Sequence, residues 1–266
     1  MGSEIGVLKV LDSGQVQDFR TGEIFSSIRL SEQECFFLRL DGRRFNRLSQ
    51  SLRVNKPYDV RFAKCLVAAA KAIFALGFVP TLAYVCSDEI NVLFSSAQIF
   101  GGRVEKINSV LASIVSSGFT LAMHEEFKAR LPVSFDSRIV AAGKKHVLDY
   151  LILRQRESMR NHLNSYAHWT LRKHGLRVKD VSQKTRGLEA AQIRELLHSY
   201  GVSLSRVPLW EKMGILVFRE PVTKVSEVGL KVTRMRFREN WKLPLFSSKE
   251  GRRLLRSILA IARINL

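Results

Sequence analysis

The chain has 266 residues, of which 46% are hydrophobic and 25% charged, an ordinary balance for a globular protein with a real core. Lys and Arg number 43 against 24 Asp and Glu, so the net charge of +19 predicts a polyanionic partner, nucleic acid before a membrane surface. The three cysteines are far apart and form no CxxC pair, so neither a disulfide framework nor a zinc knuckle is indicated. The histidines show no HExxH spacing, so we predict no histidine-ligated metal.

The first segment that indicates a chemical function follows an N-terminal part without a clear pattern of hydrophobic residues. Residues 1–34 form an N-terminal extension in which 24–30 is a predicted strand, and we assign this extension no function. Residues 36–40 read as a short apolar strand that ends on Asp41, and Gly42 and several basic residues come next. A carboxylate beside a backbone that a ligand can approach closely suits a divalent metal that carries a phosphate. An ordinary Asp-Gly turn is the alternative at this point.

A helix and a hairpin follow this strand. Residues 61–76 have high helix propensity with Gly77 as C-cap, and the apolar run 66–86 is too interrupted for a membrane span. Strands at 82–86 and 90–94 are joined by a tight turn that carries Asp88. In a split βαβ arrangement the first strand lies beside such a hairpin, so Asp41 and Asp88 are expected at one edge of the sheet. Two such carboxylates suit two Mg²⁺ ions, unless both lie on unrelated surface turns.

The next two elements complete the predicted fold class. A helix over 103–117 begins after two glycines and ends at Gly118, and its Arg103 and Lys106 suit phosphate binding or remain solvated charges. Residues 135–140 form the fourth strand, so the element order becomes βαββαβ. We therefore predict an α+β fold with a ferredoxin-like or polymerase-palm-like sheet.

The rest of the chain is predicted to be helical with one basic hairpin. Helices are expected at 146–173 and 189–199, and strands at 214–219 and 229–238. A last amphipathic helix follows a capping box at Ser247 and Glu250. Alternation in the second strand places arginines on one face, either as an RNA-facing row or as a charged edge. We divide the chain into the extension 1–34, a palm-like catalytic domain 35–175, and C-terminal helices and hairpin 176–266 packed on the palm.

Several of these motifs, taken in order, are similar to those of the tRNA-histidine guanylyltransferase family, which adds nucleotides in the 3′-to-5′ direction. The segments that carry the resemblance are Arg39–Phe45, Lys56-Pro57, Ser87–Glu89, Arg103 with Lys106, Phe135–Arg138 and Asp149–Gln155. They span roughly residues 36–175, and residues 214–219 resemble the family's late strand. The resemblance implies a Mg²⁺-dependent nucleotidyltransferase that uses ATP or GTP, acts on tRNA and forms homo-tetramers. The separated cysteines are compatible with a reducing cytosol, so we expect a cytoplasmic protein.

The same resemblance implies roles for individual residues. Catalysis would rest on Asp41, Asp88 and Glu89, and two Mg²⁺ ions would be held by Asp41, Asp88 and the Gly42 carbonyl. The residues implied to bind nucleotide are Arg39, Asp41, Gly42, Arg43, Arg44, Phe45, Asn46, Lys56, Ser87, Asp88, Arg103, Lys106 and Asn161. Those that we expect to contact RNA are Arg138, Arg154, Arg234, Arg236 and Arg238.

One departure from the family pattern bears on the substrate. Where eukaryotic members carry His-Ile-Asn-Asn, this chain has residues 159–162, with a single asparagine in place, and Ser165 replaces a nucleotide-contacting asparagine. This favours the branch of template-dependent 3′-to-5′ polymerases that repair truncated tRNA 5′ ends. Non-templated addition of guanosine to tRNA-histidine is the alternative. A palm-fold nucleotide cyclase and a non-catalytic RNA-binding module are further alternatives.

Overall fold

One antiparallel sheet organises the molecule. The computed structural model describes residues 22–225, 231–262 and 264. Its strands are β1 (Phe36–Gly42), β2 (Leu82–Cys86), β3 (Glu89–Phe94), β4 (Phe135–Ala141), β5 (Ile215–Val225) and β6 (Lys231–Asn240). They are hydrogen-bonded in the order β4-β1-β3-β2-β5-β6. The first four strands have the order of a split βαβ unit, which confirms the predicted α+β, palm-like class.

Helices cover both faces of this sheet. They are α1 (Phe45–Ser51), α2 (Val60–Ala75), α3 (Val104–Phe127), α4 (Gly143–Lys173), α5 (Val178–Thr185), α6 (Ala190–Ser199), α7 (Leu209–Met213) and α8 (Lys249–Ile261). The α2 helix begins at an N-cap, Asp59, whose carboxylate accepts a hydrogen bond from the Arg61 N–H. Most of the strands and helices predicted from the sequence are thus present, with shifted ends at several of them.

The alternation of side chains in β1 decides where the polar groups lie. Phe36, Leu38 and Leu40 are fully buried in the core that contains α2 and α3. Phe37 belongs to the second core, which contains α4 and α8. Because successive strand residues point to opposite faces, Arg39 and Asp41 share the face of Phe37. The predicted metal-site strand therefore presents its charged residues toward the side of α4.

Three local expectations were wrong. Gly118 does not end the third helix, because α3 passes α2 closely there, and an added Cβ would lie 3.2 Å from the Ala69 Cα. Residues 24–30 form turns and one isolated bridge, Arg29 with Arg103, instead of a strand. The N-cap of α8 is Ser248, one residue after the predicted position, and its Oγ accepts from the Gly251 N–H.

The domain division stays a prediction. Residues 1–21, within the proposed N-terminal extension, lie outside the described residues, as does the start of the second predicted hairpin strand at 229–230. β5 pairs with β2, so the C-terminal part extends the same sheet. By length and composition α3 could cross a membrane, but its face with Ile107, Leu111 and Val115 is fully buried in the core beside α2.

Candidate active site

Two carboxylates lie at the end of the sheet where β1 and the β2–β3 turn meet. Asp41 is the sixth residue of β1, and Asp88 lies in the two-residue turn between β2 and β3. The Gly42 N–H donates a hydrogen bond of 3.1 Å to the Asp88 carbonyl, which fixes the two loops together. The cross-strand neighbours of Asp41 are Glu89 on β3 and Asp136 on β4. Four acidic residues thus surround this corner of the sheet.

The charges of the two aspartates are incompletely compensated. Burial raises the pKa of Asp41, and the negative charges of Asp88, Asp136 and Glu89 raise it further. Burial also raises the pKa of Asp88, although Lys56 and a hydrogen bond from Ser87 act in the opposite direction. A divalent cation between Asp41 and Asp88 would relieve this repulsion, so the donor set fits the predicted Mg²⁺ site.

The number of protein ligands at this corner is small. Within the described parts of the chain, no group of three His, Cys, Asp or Glu side chains converges on a metal position. Mg²⁺ is commonly bound by one or two carboxylates together with substrate phosphates and water. Asp41, Asp88 and the Gly42 carbonyl could therefore hold the ion only together with a bound phosphate ligand.

A glycine is required at position 42 for packing as well as for chemistry. A Cβ added to this residue would lie 2.4 Å from the ring of Phe45. That ring packs edge-on against Phe62 and Phe135, which fixes the turn after β1 to the core. The glycine thus lets a buried aromatic lie directly against the backbone beside Asp41.

Glu89 is surrounded very differently from its neighbour Asp88. It is 5% exposed, and its Oε2 accepts from Arg39 Nε and an Arg154 terminal nitrogen, both at 2.6 Å. Its Oε1 accepts from Arg154 Nε at 2.9 Å and Asn91 Nδ2 at 2.6 Å. Four donors thus occupy this carboxylate, which leaves it no position for a metal. The catalytic role of Glu89 stays a prediction, and these contacts favour a positioning role.

A cavity of about 180 Å³ opens beside the two aspartates. This is more than ten times the space that one water requires, so it can accept part of a ligand. Lys56, Ser87 and Asp88 lie on its polar side, and Tyr58 and Trp210 are among its aromatic residues. Burial lowers the pKa of Lys56, while Asp88 and Asp59 favour its charged form. The cavity combines a cation and a hydroxyl for phosphates with aromatic surface for a base.

Comparison with known proteins agrees with this geometry. A family model described as tRNAHis guanylyltransferase matches residues 16–143. The tRNA(His) guanylyltransferase of Debaryomyces hansenii is 30% identical over 213 residues, which cover 74% of this chain and 80% of that protein. The chain belongs to the tRNA-histidine guanylyltransferase family. It is therefore a nucleotidyltransferase, and the Schizosaccharomyces pombe protein of the same name is also 30% identical, covering 73% and 77%.

Solved structures of the guanylyltransferase family show the same fold. A bacterial tRNA(His) guanylyltransferase-like protein in complex with ATP has a TM-score of 0.69 at 22% identity, covering 90% of this chain and 95% of that one. The Saccharomyces cerevisiae tRNA(His) guanylyltransferase has a TM-score of 0.68 at 23% identity, covering 82% and 96%.

Not all the residues that the family resemblance implicates line the cavity. It is lined by Phe45, Asn46, Lys56, Ser87 and Asp88, with Asp41, Gly42 and Arg39 at the adjoining corner. Arg43 and Arg44 instead line a separate cavity with Arg47. Arg103 and Lys106 line a third one. Asn161 lies in a groove beside the main cavity.

The residues expected to contact RNA are also spread over the molecule. Arg154 is held by Glu89 and Glu157 and is largely buried, whereas Arg138 is exposed and pairs with Asp136. Arg234 and Arg236 are exposed on β6. Arg238, also on β6, pairs with Glu220. Of these residues, Arg154 adjoins the aspartate corner through its contact with Glu89, and Arg138 adjoins it through its pair with Asp136.

Several cavity residues of this guanylyltransferase-family chain were missed by the sequence analysis. Trp210 and Glu211 come from α7, far away in sequence, and Glu211 accepts a hydrogen bond of 2.6 Å from the Tyr166 hydroxyl. Asp59 lies in the cavity wall, where Arg61 and the Asn55 N–H take both its oxygens. The position of Asp59 three residues after Lys56 was the one available signal for it.

Proposed function

We propose that this chain adds nucleotides in the 3′-to-5′ direction to the 5′ end of tRNA under the direction of a template strand, as a repair of truncated 5′ ends. The observation that supports it most is the proximity of Asp41 to Asp88, which lines a cavity together with Lys56. The relatives named tRNA(His) guanylyltransferase support tRNA as the substrate. Bacterial tRNA(His) guanylyltransferase-like proteins of the same fold form complexes with ATP and with GTP.

The proposed reaction has two phosphoryl-transfer steps. In the first, the 5′-monophosphate of the RNA attacks the α-phosphorus of ATP or GTP, which links the two phosphates and releases pyrophosphate. In the second, the 3′-hydroxyl of the incoming nucleotide attacks the RNA 5′-phosphate, and the nucleoside monophosphate leaves. Two bound Mg²⁺ ions would supply neutralisation of phosphate charge and a lower pKa for the attacking hydroxyl.

The chain's own residues supply binding and orientation. Asp41, Asp88 and the Gly42 carbonyl would hold the ions, and Lys56 and Ser87 would contact the triphosphate. Lys56 is preset for this, since its Nζ donates to Ser49 Oγ at 2.7 Å and lies 5.5 Å from the centre of the Trp169 ring. Ordering this lysine before the ligand arrives reduces the entropy lost on binding.

Of the described carboxylates that line the cavity, Asp88 is assigned to the metal, and neither Asp59 nor Glu211 has both oxygens free to select guanine. Guanine presents two neighbouring N–H donors, which a carboxylate with both oxygens free recognises best. Both oxygens of Asp59 are taken by the Asn55 N–H and by the backbone and side chain of Arg61. One oxygen of Glu211 is taken by Tyr166. This supports selection of the incoming base by pairing with a template.

One assay tests the proposal directly. The full chain is incubated with a 5′-truncated tRNA, ATP, all four NTPs and Mg²⁺, and the 5′ extension is sequenced. We expect addition to stop where the template strand ends, and to be abolished in Asp41→Ala and Asp88→Ala. Absence of extension by the wild-type chain, or undiminished extension by these variants, would show the proposal to be wrong.

Non-templated guanosine addition is the second candidate, because the two yeast relatives are named tRNA(His) guanylyltransferase. It predicts guanosine added beyond the last template base of full-length tRNA-histidine, in preference to other nucleotides. The same assay separates the two by comparing addition opposite each template base with addition beyond the template. A cytoplasmic location, expected from the separated cysteines, and a homo-tetrameric assembly, implied by the family resemblance, remain part of the proposal.

A further inference from the structure

A second and larger depression adjoins the nucleotide cavity. We call it the amide groove: it has a volume of about 750 Å³ and lies between α1, α4 and α5. Both the groove and the cavity are lined by Lys56, Ser87, Ser165 and Trp169. A ligand in the groove would therefore touch the residues that we expect to hold the triphosphate.

The chemistry of the groove differs from that of the cavity. Among the described residues that line it there is no Asp or Glu, although the chain has 24 of them. Its charged residues are Lys56 and Arg172. The absence of acids from this lining favours an anionic ligand. Two cations are too few to hold a second triphosphate with its metal, so a ligand with less charge fits better.

Neutral hydrogen-bonding groups dominate the groove instead. The amides of Gln50, Asn161 and Asn164 line it, and within the described residues they make no hydrogen bond to another side chain or to the backbone. Such amides present donors and acceptors together, which matches the edges of unpaired bases. Trp169 adds a partly exposed aromatic ring of the kind on which bases stack.

We propose that the amide groove binds unpaired nucleotides of the RNA substrate next to its growing 5′ end. This inference rests on the proposed function, since it assigns RNA to the position adjoining the reacting triphosphate. It moves Asn161 from a nucleotide contact to an RNA contact. It also gives Ser165, where the family has an asparagine, a place on the wall between the two ligands.

Direct binding tests this without requiring any chemistry. The probe is a fluorescent RNA hairpin with a recessed 5′ end and three unpaired nucleotides on the opposite strand, compared with a blunt hairpin. We expect Asn161→Ala/Asn164→Ala in the full chain to weaken binding of the recessed probe by about tenfold and to leave the blunt probe unchanged. Since no phosphate contact is removed, the salt dependence of binding should keep its slope.

A charge change provides a matched control. Asn164→Asp places a carboxylate in the acid-free groove, whereas Gln183→Asp adds the same negative charge on an exposed residue of α5 outside the groove's lining. We expect Asn164→Asp to weaken binding of the recessed probe more than Asn164→Ala does. Gln183→Asp should change this binding less than twofold, because an exposed charge has a weak effect.

The outcomes separate this inference from the proposed function. Equal effects of Asn164→Asp and Gln183→Asp, or wild-type binding by the double alanine variant, would overturn the groove assignment. Weaker ATP binding with unchanged RNA binding would overturn it too, because the groove would then belong to the nucleotide. Failure of the wild-type chain to extend RNA, with groove-dependent binding intact, would instead refute the proposed function alone.

Discussion

Two acidic regions lie side by side at the end of the sheet, and the protein surrounds them in opposite ways. Glu89 is buried and accepts from four donors, two of which belong to the guanidinium of Arg154. Asp41 and Asp88 lie near each other, with Arg39 as the cation near Asp41 and Lys56 near Asp88, and burial together with neighbouring negative charge raises the pKa of both. The compensated acid suits a structural role, whereas the uncompensated pair suits a bound cation.

This difference shows why adjacency in sequence is a poor guide to chemistry. Asp88 and Glu89 are consecutive, but Asp88 lies in a turn and Glu89 begins a strand that is buried along its length. A buried carboxylate has to be paired and hydrogen-bonded, and a partly open one can await a ligand. The comparison can be tested by removing each charge in turn.

The largest effect is expected from the uncompensated pair. Asp41→Asn and Asp88→Asn should each lower the rate of RNA extension by at least about a thousandfold, because charge stabilisation of several kcal/mol is lost. Stability should stay equal or rise by up to about 1 kcal/mol, because like-charge repulsion is removed. Extension kinetics and urea unfolding measure the two quantities. A loss of stability above about 2 kcal/mol would contradict the contrast with Glu89.

A linked measurement concerns the ligand. Mg²⁺ with ATP should raise the melting temperature of the wild-type chain, because a ligand that binds only the folded state stabilises it. The same addition should give a much smaller rise in Asp41→Asn. An equal rise in both proteins would place the metal–nucleotide complex elsewhere.

The second largest effect is expected from the compensated acid, and on stability. Glu89→Gln should lower the free energy of unfolding by about 3 kcal/mol, since Arg154 would lose its buried partner and keep only Glu157. The Arg154 side chain is 11% exposed. The matched control is Glu220→Gln, which breaks the more exposed pair with Arg238 and should cost less than about 1 kcal/mol. Equal losses in the two variants would contradict the structural role of Glu89.

Much of the fold could be predicted because the sheet follows local rules. The alternation in β1, the turn at Ser87 and Asp88, and the βαββαβ order all come from short stretches of sequence. The role of Glu89 could not be read in the same way, because its partner Arg154 is 65 residues away. Trp210, in the cavity wall, likewise reaches the site only through the packing of α7. Gly118 was predicted to end a helix because glycine has low helix propensity. Its role is to allow the close contact with α2, which local sequence does not show.

A smaller effect is expected where the compensated network ends. The Tyr150 hydroxyl donates to Asn91 Oδ1 at 2.6 Å, and its ring stacks on Phe37. Tyr150→Phe keeps the ring and leaves the buried Asn91 oxygen without this donor, so it should cost about 1 kcal/mol of stability. The Mg²⁺ dependence of extension should not change. A shift in that dependence would connect the network to the metal site more closely than the contacts indicate.

The smallest effect is expected from Asp136, which belongs to neither class. It lies opposite Asp41 across the β1–β4 ladder, its side chain is 51% exposed, and it pairs with Arg138 at 3.4 Å. Asp136→Asn should change stability by less than about 0.5 kcal/mol, because exposed ion pairs contribute little. It should raise the Mg²⁺ concentration for half-maximal extension about twofold, since one nearby negative charge is lost in high dielectric. If Asp136→Asn abolishes extension as Asp41→Asn does, Asp136 belongs with Asp41 and Asp88 in the metal site. The exposure of a side chain would then not distinguish a metal ligand from a nearby acid.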